Sequence, residues 1–266
     1  MSSRGLYSAA SAMMMDLIRM DTVANNLANV NTTGYKRQQT LHHDFKAGLI
    51  ERMKTAAPYV SQNGNGSETL ETFEGGVTAL GELGTGTVVS GTYVGFEAGS
   101  LEVTSNPLHV ALQGTGFFVV ETPNGPMYTR NGSFTRNSEG ELVTVEGFRV
   151  MGENGPILLP ETPVSITEKG DVYAGQQYIN SLQITDFAEP SSLIRRGSSF
   201  FAAPNDALEI APEAVVLQGN LEHSNVDTAR EMVQMITAMR SYQLSQKALQ
   251  TEDEMTGRLN DLGRPV

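Results

Sequence analysis

Asn25-Asn26-Leu27-Ala28-Asn29-Val30-Asn31-Thr32-Thr33-Gly34-Tyr35-Lys36 closes an amphipathic N-terminal segment, and this stretch decides how the rest of the chain is interpreted. Upstream of it, apolar side chains recur at alternating steps of four and three, which places them on one face of a helix. They are Leu6, Ala10, Met13, Leu17, Met20, Ala24 and Leu27. A helix of about 25 residues is about 37 Å long. Nothing in the adjoining sequence covers this face, so its partner must come from elsewhere.

A second long helix is predicted over residues 227–262, at the other end of the chain. Its apolar positions lie on two stripes that are offset by one residue, so the apolar face drifts around the helix. The first stripe contains Met232, Ile236 and Met239, and the second contains Leu244, Ala248, Met255, Leu259 and Leu262. Two long amphipathic helices at opposite ends of one chain predict that the termini meet in space.

A terminal helix of this kind is not expected to be stable alone. Burial of one Leu or Met side chain contributes about 1.5–3 kcal/mol, whereas ordering the backbone of each residue costs about 1–2 kcal/mol. Only every third or fourth residue is apolar, so contacts from several subunits are needed. The predicted assembly interface consists of Leu6, Met13, Leu17, Met20, Leu27, Asn25, Asn26, Asn29, Met232, Ile236, Met239, Leu244, Met255 and Leu259.

The asparagines at the end of the first helix have two interpretations. Asn is a mediocre helix former, because its amide competes for backbone groups. Asn25, Asn26 and Asn29 therefore indicate either a fraying last turn or amides that bridge to neighbouring chains. Gly34 is expected to supply the left-handed residue of the following turn. At the start of the second helix, Thr228-Ala229-Arg230-Glu231 matches a capping box.

Composition limits the possible functions. The 266 residues carry a net charge of -12, which argues against non-specific binding to nucleic acid or to anionic membranes. The chain has no cysteine, and this excludes disulfide and thiolate chemistry. We expect no membrane insertion, because no uncharged apolar run approaches the roughly 20 residues of a span. Asp16, Arg19 and Asp21 distinguish the first helix from a cleaved secretory signal, so an external location requires another export route.

The middle of the chain has a different character. Residues 55–91 are rich in Gly, Ser, Thr and Asn, which indicates a solvated linker or β-ribbon. Beyond Gly95, Leu108, Val110 and Leu112 alternate with other residues, and Phe117-Phe118-Val119-Val120 is typical of a buried strand. Closely spaced turn signals follow, as in an all-β domain.

These patterns predict an α+β fold. Long N- and C-terminal helices would form a coiled-coil-like α domain, with an inserted all-β domain and a Gly-rich extended linker. The predicted division is 1–36 for the N-terminal helix, 37–95 for the linker or extended arm, 96–218 for the all-β domain and 219–266 for the C-terminal helix.

Residues for catalysis are not indicated by any pattern. His42, His43, His109 and His223 lack the spacing of metal ligands. Gly114-Thr115-Gly116 precedes a strand, whereas a phosphate-binding loop follows a strand and opens a helix. The sequence also singles out no pair of carboxylates facing across a cleft. We therefore predict a protein that is not an enzyme and that uses no cofactor or metal.

Three separated groups of motifs occur in a characteristic order. The first is the stretch from Asn25 to Lys36 quoted above. The second comprises Asn106-Pro107-Leu108, Gly114-Thr115-Gly116-Phe117-Phe118, Tyr128-Thr129-Arg130-Asn131-Gly132-Ser133-Phe134 and Gly140-Glu141-Leu142-Val143. The third comprises Gly219-Asn220-Leu221-Glu222, Ser224-Asn225-Val226-Asp227, Glu231-Met232-Val233 and Arg240-Ser241-Tyr242. Together they resemble the rod and hook proteins of the bacterial flagellum.

This resemblance implies a structural subunit of the basal-body rod. Such proteins leave the cell through the flagellar type III export apparatus without a cleaved signal, and they assemble outside the cytoplasmic membrane, in the periplasm and cell wall. They stack helically, with terminal helices lining the inner tube and the β domain outside, to form a drive shaft and export channel. Implied partners are further copies, other rod proteins and the hook protein. We expect a monomer with mobile ends and a stiff polymer.

The position along the rod is less directly indicated. Gly152-Glu153-Asn154-Gly155-Pro156-Ile157 followed by Ile166-Thr167 resembles the proximal rod protein, which is favoured. Gly84-Thr85-Gly86-Thr87-Val88 and Lys247-Ala248-Leu249-Gln250-Thr251 resemble the distal rod protein. A distal rod or hook-type subunit is the first alternative, and a secreted adhesin or binding module is the alternative from another class.

Overall fold

A helix lies at each end of the described chain, with a β-rich region between them. The computed structural model describes residues 2–44, 87–204 and 206–262. Helix α1 spans Ser2–Ala28 and helix α2 spans Thr228–Leu262. This architecture confirms the predicted α+β class and both long helices. Most of the predicted Gly-rich linker lies outside the described residues.

Short strands make up the region between the helices, as the closely spaced turn signals predicted. In chain order they are β1 (Gln38–Asp44), β2 (Thr87–Val94), β3 (Leu101–Val103), β4 (Val110–Gly114), β5 (Phe117–Thr122), β6 (Gly125–Thr129), β7 (Phe134–Arg136), β8 (Leu142–Thr144), β9 (Arg149–Gly152), β10 (Gly155–Pro156), β11 (Val164–Ile166), β12 (Asp171–Ala174), β13 (Gln177–Ser181), β14 (Ile184–Phe187), β15 (Ile194–Arg196), β16 (Phe200–Ala202), β17 (Glu209–Ile210), β18 (Ala214–Gln218) and β19 (Asn220–Glu222). A 3-10 turn at Pro190–Ser192 precedes β15.

The largest sheet has the strand order β15-β16-β6-β5-β9-β8-β7, with β10, β14 and β17 attached to it. Strands β11-β12-β13 form a second sheet, and the pairs β1-β2, β18-β4 and β19-β3 form two-stranded sheets. Strand β5 is buried on both faces: Phe118 and Val120 belong to one hydrophobic cluster, and Phe117 and Val119 belong to another. Alternating side chains on one strand therefore serve two cores, which explains the uninterrupted apolar run.

The chain divides into two compact units, and each helix contributes to both. One unit comprises Leu17–Leu41 and Gly91–Arg240. The other contains the remaining described residues, which include the N-terminal part of α1 and the C-terminal part of α2. The units therefore cut across both helices and do not follow the predicted divisions at residues 36, 95 and 218.

The C-terminal boundary also differs from the prediction at residue 219. Asn220–Glu222 forms strand β19, which pairs antiparallel with β3, so the segment before α2 belongs to the β region. The helix itself begins at Thr228, one residue after the start of the predicted helix at 227–262. A short polar strand of this kind carries no apolar alternation, and the sequence therefore gives no strand signal there.

The capping box predicted at Thr228 is wrong. Asp227 caps α2, because its Oδ1 accepts hydrogen bonds from the backbone N–H groups of Ala229, at 3.0 Å, and Arg230, at 3.2 Å. Glu231 cannot complete the box, since its side chain is fully buried and binds Arg37 and Asn26. Gly34, in contrast, has the expected left-handed conformation, with φ of 66°.

Candidate assembly surface and polar clasp

Helix α2 presents an uncovered apolar face, which we call the α2 apolar face and define as Met232, Val233, Ile236 and Met239. Val233 was not among the predicted interface residues. These four side chains, together with the predicted Leu244 and Met255 further along the helix, are between 48% and 69% exposed. The side chain of the predicted Leu259 lies outside the described residues. Half-exposed Met and Ile side chains along a helix are typical of an interaction surface.

The opposite face of α2 is turned inward, and it combines a charged, a small and a large apolar side chain: Glu231, Ala238 and the half-buried Met235. Glu231 and Ala238 are both fully buried. They lie about two turns apart and therefore on the same side of the helix. Helix α2 thus buries a mixed face that includes a charged residue against its own chain and leaves an apolar face outward, whereas the usual surface helix turns its apolar face to the core.

Helix α1 shows a weaker form of the same arrangement. Its buried residues include Asp16, Thr22 and Asn26, which are polar. The predicted interface residue Leu17 is 46% exposed, and Met13, Met20 and Leu27 are half-buried. The side chain of Leu6 lies outside the described residues. Most of the predicted interface side chains of α1 that the structure describes are therefore only partly buried.

Asn26 does not fit the interpretation that its amide bridges to a neighbouring chain. Its side chain is buried, and all its hydrogen-bonding groups have partners within this chain. The Nδ2 donates to the carbonyl of Gln38 at 2.8 Å and to Glu231 Oε2 at 3.2 Å. The Oδ1 accepts from the N–H of Gln38 at 2.9 Å and from the Tyr35 hydroxyl at 3.0 Å. A neighbouring chain would have to displace these bonds.

Asn25 and Asn29 are also bonded locally. Asn25 Oδ1 accepts from the Tyr35 hydroxyl at 2.9 Å, and Asn29 Nδ2 donates to the backbone carbonyl of Asn25 at 2.8 Å. Asn25 is nevertheless exposed and Asn29 is half-buried. Their place in an interface stays a prediction.

Asn26 is part of a buried polar network, which we call the polar clasp. It consists of Asn26, Tyr35, Lys36, Arg37, Glu222, Asn225 and Glu231. Arg37 Nε donates to Glu231 Oε1 at 2.6 Å, and the backbone N–H of Arg37 donates to Asn225 Oδ1 at 2.7 Å. The clasp therefore ties the segment after α1 to the first turn of α2.

A second ion pair in the clasp is even more enclosed. Lys36 Nζ donates to Glu222 Oε1 at 2.6 Å and to the carbonyl of Glu97 at 2.8 Å, and both charged side chains are 1% exposed. The backbone N–H of Gly99 donates to the same carboxylate oxygen at 2.9 Å. Burial lowers the pKa of Lys36, and the negative charge of Glu222 partly opposes this shift. Removing one partner of such a pair leaves an uncompensated buried charge, which typically costs about 3–5 kcal/mol.

Tyr35 forms the apolar base of the clasp. Its ring is fully buried under the Arg195 guanidinium, whose central carbon lies 4.2 Å from the ring centroid. Arg195 also donates to the backbone carbonyl of Lys36. Burial raises the pKa of the Tyr35 hydroxyl, and the nearby positive charge of Arg195 partly offsets this. A cation over a desolvated aromatic ring adds to the stability of the contact.

Gly34 brings the clasp against the β domain. Its N–H donates to the backbone carbonyl of Glu222 at 2.7 Å, and the neighbouring Thr33 hydroxyl donates to Asn131 Oδ1 at 2.6 Å. A Cβ atom at Gly34 would lie 2.3 Å from the backbone nitrogen of Asn131. The left-handed backbone and this close approach both require glycine.

All three groups of motifs from the sequence contribute to this one site. Tyr35 and Lys36 come from the first group, Asn131 from the second, and Glu222 and Glu231 from the third. No sequence pattern distinguishes Arg37 or Arg195, because a lone arginine in a polar stretch has the same pattern whether it is buried or exposed. The arrangement fixes the segment after α1 against the β domain and the start of α2. Within the described residues, no group of three or more His, Cys, Asp or Glu side chains could hold a metal ion.

Comparison with known families gives matches in three parts of the chain. A profile described as flagella basal body rod protein matches residues 6–36. The flagellar hook protein FlgE/F/G D1 domain matches residues 111–174, and the flagellar basal body rod FlgEFG protein C-terminal domain matches residues 217–262. The first profile contains Asn26, Tyr35 and Lys36 of the clasp and ends one residue before Arg37, and the third contains Glu222, Asn225 and Glu231.

Similar proteins extend over nearly the whole chain. The flagellar basal-body rod protein FlgG of Borreliella burgdorferi is 36% identical, over 98% of this chain and 99% of its own length. FlgG of Caulobacter vibrioides is 33% identical over 95% of this chain and 96% of its own length. The rod protein FlgF of Mesorhizobium japonicum is 29% identical over 90% of this chain and 88% of its own length. No helix in the described residues has the length and apolarity needed to cross a membrane.

Proposed function

Because this chain belongs to the flagellar basal-body rod protein family, we propose that it polymerises helically with like subunits through its terminal helices. It is a structural rod subunit and not an enzyme. The observation that carries the mode of polymerisation is the α2 apolar face, which is exposed while Glu231 and Ala238 on the opposite side of the helix are buried.

The exposure of this apolar face is the physical basis for helix-mediated assembly. An exposed stripe containing Met232, Ile236 and Met239 leaves apolar surface in water, and burying each such side chain contributes about 1.5–3 kcal/mol. Coiled-coil-like packing against helices of neighbouring subunits would cover it. Repetition of a contact that does not close on itself generates a helical polymer. We propose that this polymer forms the drive shaft and the export channel of the rod.

The partners follow from the same assembly. The chain assembles with other subunits of the rod and hook family, and we propose that these are further copies, other rod proteins and the hook protein. We also propose that the chain is exported by the flagellar type III apparatus and assembles in the periplasm and cell wall. The names of the relatives favour a rod subunit over the adhesin or binding module considered as an alternative.

The position along the rod is a separate proposal. Two motifs favour the proximal rod, with a distal rod or hook-type subunit as the alternative. The FlgG relatives quoted above match more of this chain, at higher identity, than the quoted FlgF relative does. The chain is thus closer in sequence to these FlgG proteins. The names of these relatives state no axial position, so the proximal position stays a prediction.

Labelling the protein in isolated basal bodies tests the function. The full-length chain with a photo-crosslinking residue at Ile236 is expected to locate to the rod and to form adducts with neighbouring subunits. The same residue at Thr237, which is exposed beside the apolar face, serves as the matched control and should give fewer adducts. Identifying the adducts by mass spectrometry gives the axial neighbours. Absence of the label from the rod would contradict the proposal, and equal adduct yields would contradict the role of the α2 apolar face.

A further inference from the structure

Burial along both terminal helices is uneven. We call residues 17–28 of α1 and 228–240 of α2 the clasp-side segments, and residues 7–16 of α1 and 241–258 of α2 the terminal segments. The clasp-side segments contain Thr22, Val23, Asn26, Glu231 and Ala238, all buried. Among the described side chains of the terminal segments, Asp16 alone is buried, and it lies at the boundary. The division between the two compact units falls at the same place.

The clasp acts on the clasp-side segments at the ends where the two helices approach the β domain. Asn26 lies in the last turns of α1, and Glu231 lies in the first turn of α2. Their side chains bond directly to each other, at 3.2 Å, and both bond to the connecting segment at Arg37 and Gln38. One turn of each helix is therefore fixed by contacts that do not depend on any neighbouring subunit.

Starting a helix is the unfavourable step of helix formation. The first turn fixes several residues for a single hydrogen bond and is disfavoured by a factor of roughly 10³, whereas each further residue adds one bond. A turn that is already held needs no such step. Asp227 further assists α2 by capping its first N–H groups.

We propose that the polar clasp holds the clasp-side segments of both helices folded in the lone subunit, and that they serve as preformed nuclei from which the terminal segments grow when subunits assemble. The growth step rests on the proposed polymerisation, whereas the folded state of the clasp-side segments does not. Within each helix, one part is therefore folded in the lone subunit and the other part folds only on assembly. The two parts meet near residue 16 in α1 and near residue 240 in α2.

Hydrogen–deuterium exchange of the full-length monomer tests the first part. The amides of residues 21–28 and 231–240, whose helical acceptors lie outside the terminal segments, are expected to exchange at least about tenfold more slowly than those of residues 7–16 and 244–258. The terminal segments should gain protection in assembled polymer. Equal exchange of the two kinds of segment in the monomer would overturn the proposal, even if the chain enters rods normally.

Glu231→Gln tests the role of the clasp. It removes the charge that pairs with Arg37 and should lower protection of both clasp-side segments at least about tenfold. The matched control is Glu254→Gln, an exposed position in the terminal segment of α2, which should leave protection unchanged. The amides of β5 report whether the β domain stays folded. Unchanged protection in Glu231→Gln would overturn the proposal.

A second variant covers the case in which Glu231→Gln also lowers protection of β5. Asn26→Ala removes the four amide hydrogen bonds without changing any charge. It is expected to lower protection of residues 21–28 and 231–240 while β5 stays protected. Wild-type protection of these segments in Asn26→Ala would overturn the proposal. If the wild-type chain assembles normally while Asn26→Ala keeps wild-type protection, the clasp proposal fails and the proposed polymerisation still stands.

Discussion

Gly34 is the residue at which the clasp leaves no room for a side chain. We expect Gly34→Ala to lower the free energy of unfolding by more than about 1 kcal/mol, because alanine disfavours the left-handed backbone and its Cβ would meet the backbone of Asn131. Urea unfolding followed by far-ultraviolet circular dichroism measures the change.

Gly175 offers a control with matched backbone geometry. Its φ is 61°, close to the 66° of Gly34, yet a Cβ there would meet nothing within 4 Å. Gly175→Ala therefore has the cost of the left-handed backbone without the steric contact, and it should destabilise the chain less. Equal losses in the two variants would show that the close approach at Asn131 contributes nothing.

Tyr128 gives the chain a specific sensitivity to alkaline pH. Burial, followed by its hydrogen bond and proximity to Glu209, raises the pKa of the Tyr128 hydroxyl to about 12. An unfolded tyrosine ionises near pH 10. Between these values the unfolded state releases a proton that the folded state keeps, so the stabilisation is complete below pH 10 and is lost as the pH rises towards 12.

The Tyr128→Phe variant isolates this contribution. The wild-type chain is expected to lose up to about 2–3 kcal/mol more stability between pH 10 and pH 12 than Tyr128→Phe does. Denaturant unfolding at pH 8, 10 and 11.5 gives the comparison, and the pH 8 value corrects for the lost hydrogen bond to Glu209. Identical pH profiles for the two proteins would contradict the assignment.

Single-residue patterns could not have revealed the clasp. Lys36, Glu222 and Glu231 occur in polar stretches, and charged residues are almost never fully buried unless they are paired. Their partners lie far away in the sequence, 186 residues apart for Lys36 and Glu222. Gly34 was predictable, because a glycine after a helix commonly adopts the left-handed conformation. The sequence motifs thus identified the segments that form the clasp. Which charged side chains pair with each other could be seen only in the folded structure.

At the scale of elements, the two helices were predicted closely. The first apolar pattern gave α1, and the prediction of 227–262 agrees with α2 at Thr228–Leu262. The predicted stripe of Met232, Ile236 and Met239 is about half exposed in this chain, and its place in an interface stays a prediction. The periodicity could not show that the buried face would contain a charged residue. Residues such as Glu231 pack inward only because Arg37 and Asn26 are placed to bind them.

Aspartate on the exposed apolar faces should block assembly without unfolding the subunit. In Leu17→Asp and Ile236→Asp the new charge stays in water in the lone chain, because both positions are about half exposed, but it would be desolvated between packed helices. Incorporation into rods is expected to fail, as measured by motility and by labelled basal bodies. Far-ultraviolet circular dichroism should show that the β domain still folds.

Thr237→Asp is the control for these two variants. It introduces the same charge at an exposed position of α2 beside the apolar face, and it should be incorporated much more efficiently. Normal rods built from Leu17→Asp or Ile236→Asp would remove the argument that these faces are covered during assembly.

At the scale of the whole molecule, the sequence predicted the α+β class but not the division into units. Apolar alternation marked the β region well. The predicted division at residue 219 groups β19 with the C-terminal helix, whereas this short polar strand pairs with β3. The divisions within α1 and α2 were not predictable from periodicity, since the helical pattern continues across them. Which part of a helix is held depends on the clasp and not on the helix's own sequence.

The last prediction concerns the helical content of the whole chain. The clasp-side segments contain less than half of the residues of α1 and α2. A dilute monomer should therefore show the β signal together with only a minor part of the full helical signal, and the signal at 222 nm should grow as subunits polymerise. The β signal should stay constant, because the β domain has its own hydrophobic clusters. Circular dichroism across a concentration series, with sedimentation to define the monomer, measures this. Two complete helices in the dilute monomer, with a signal independent of concentration, would mean that each helix is stable without neighbours, and the exposed apolar faces would then need another explanation.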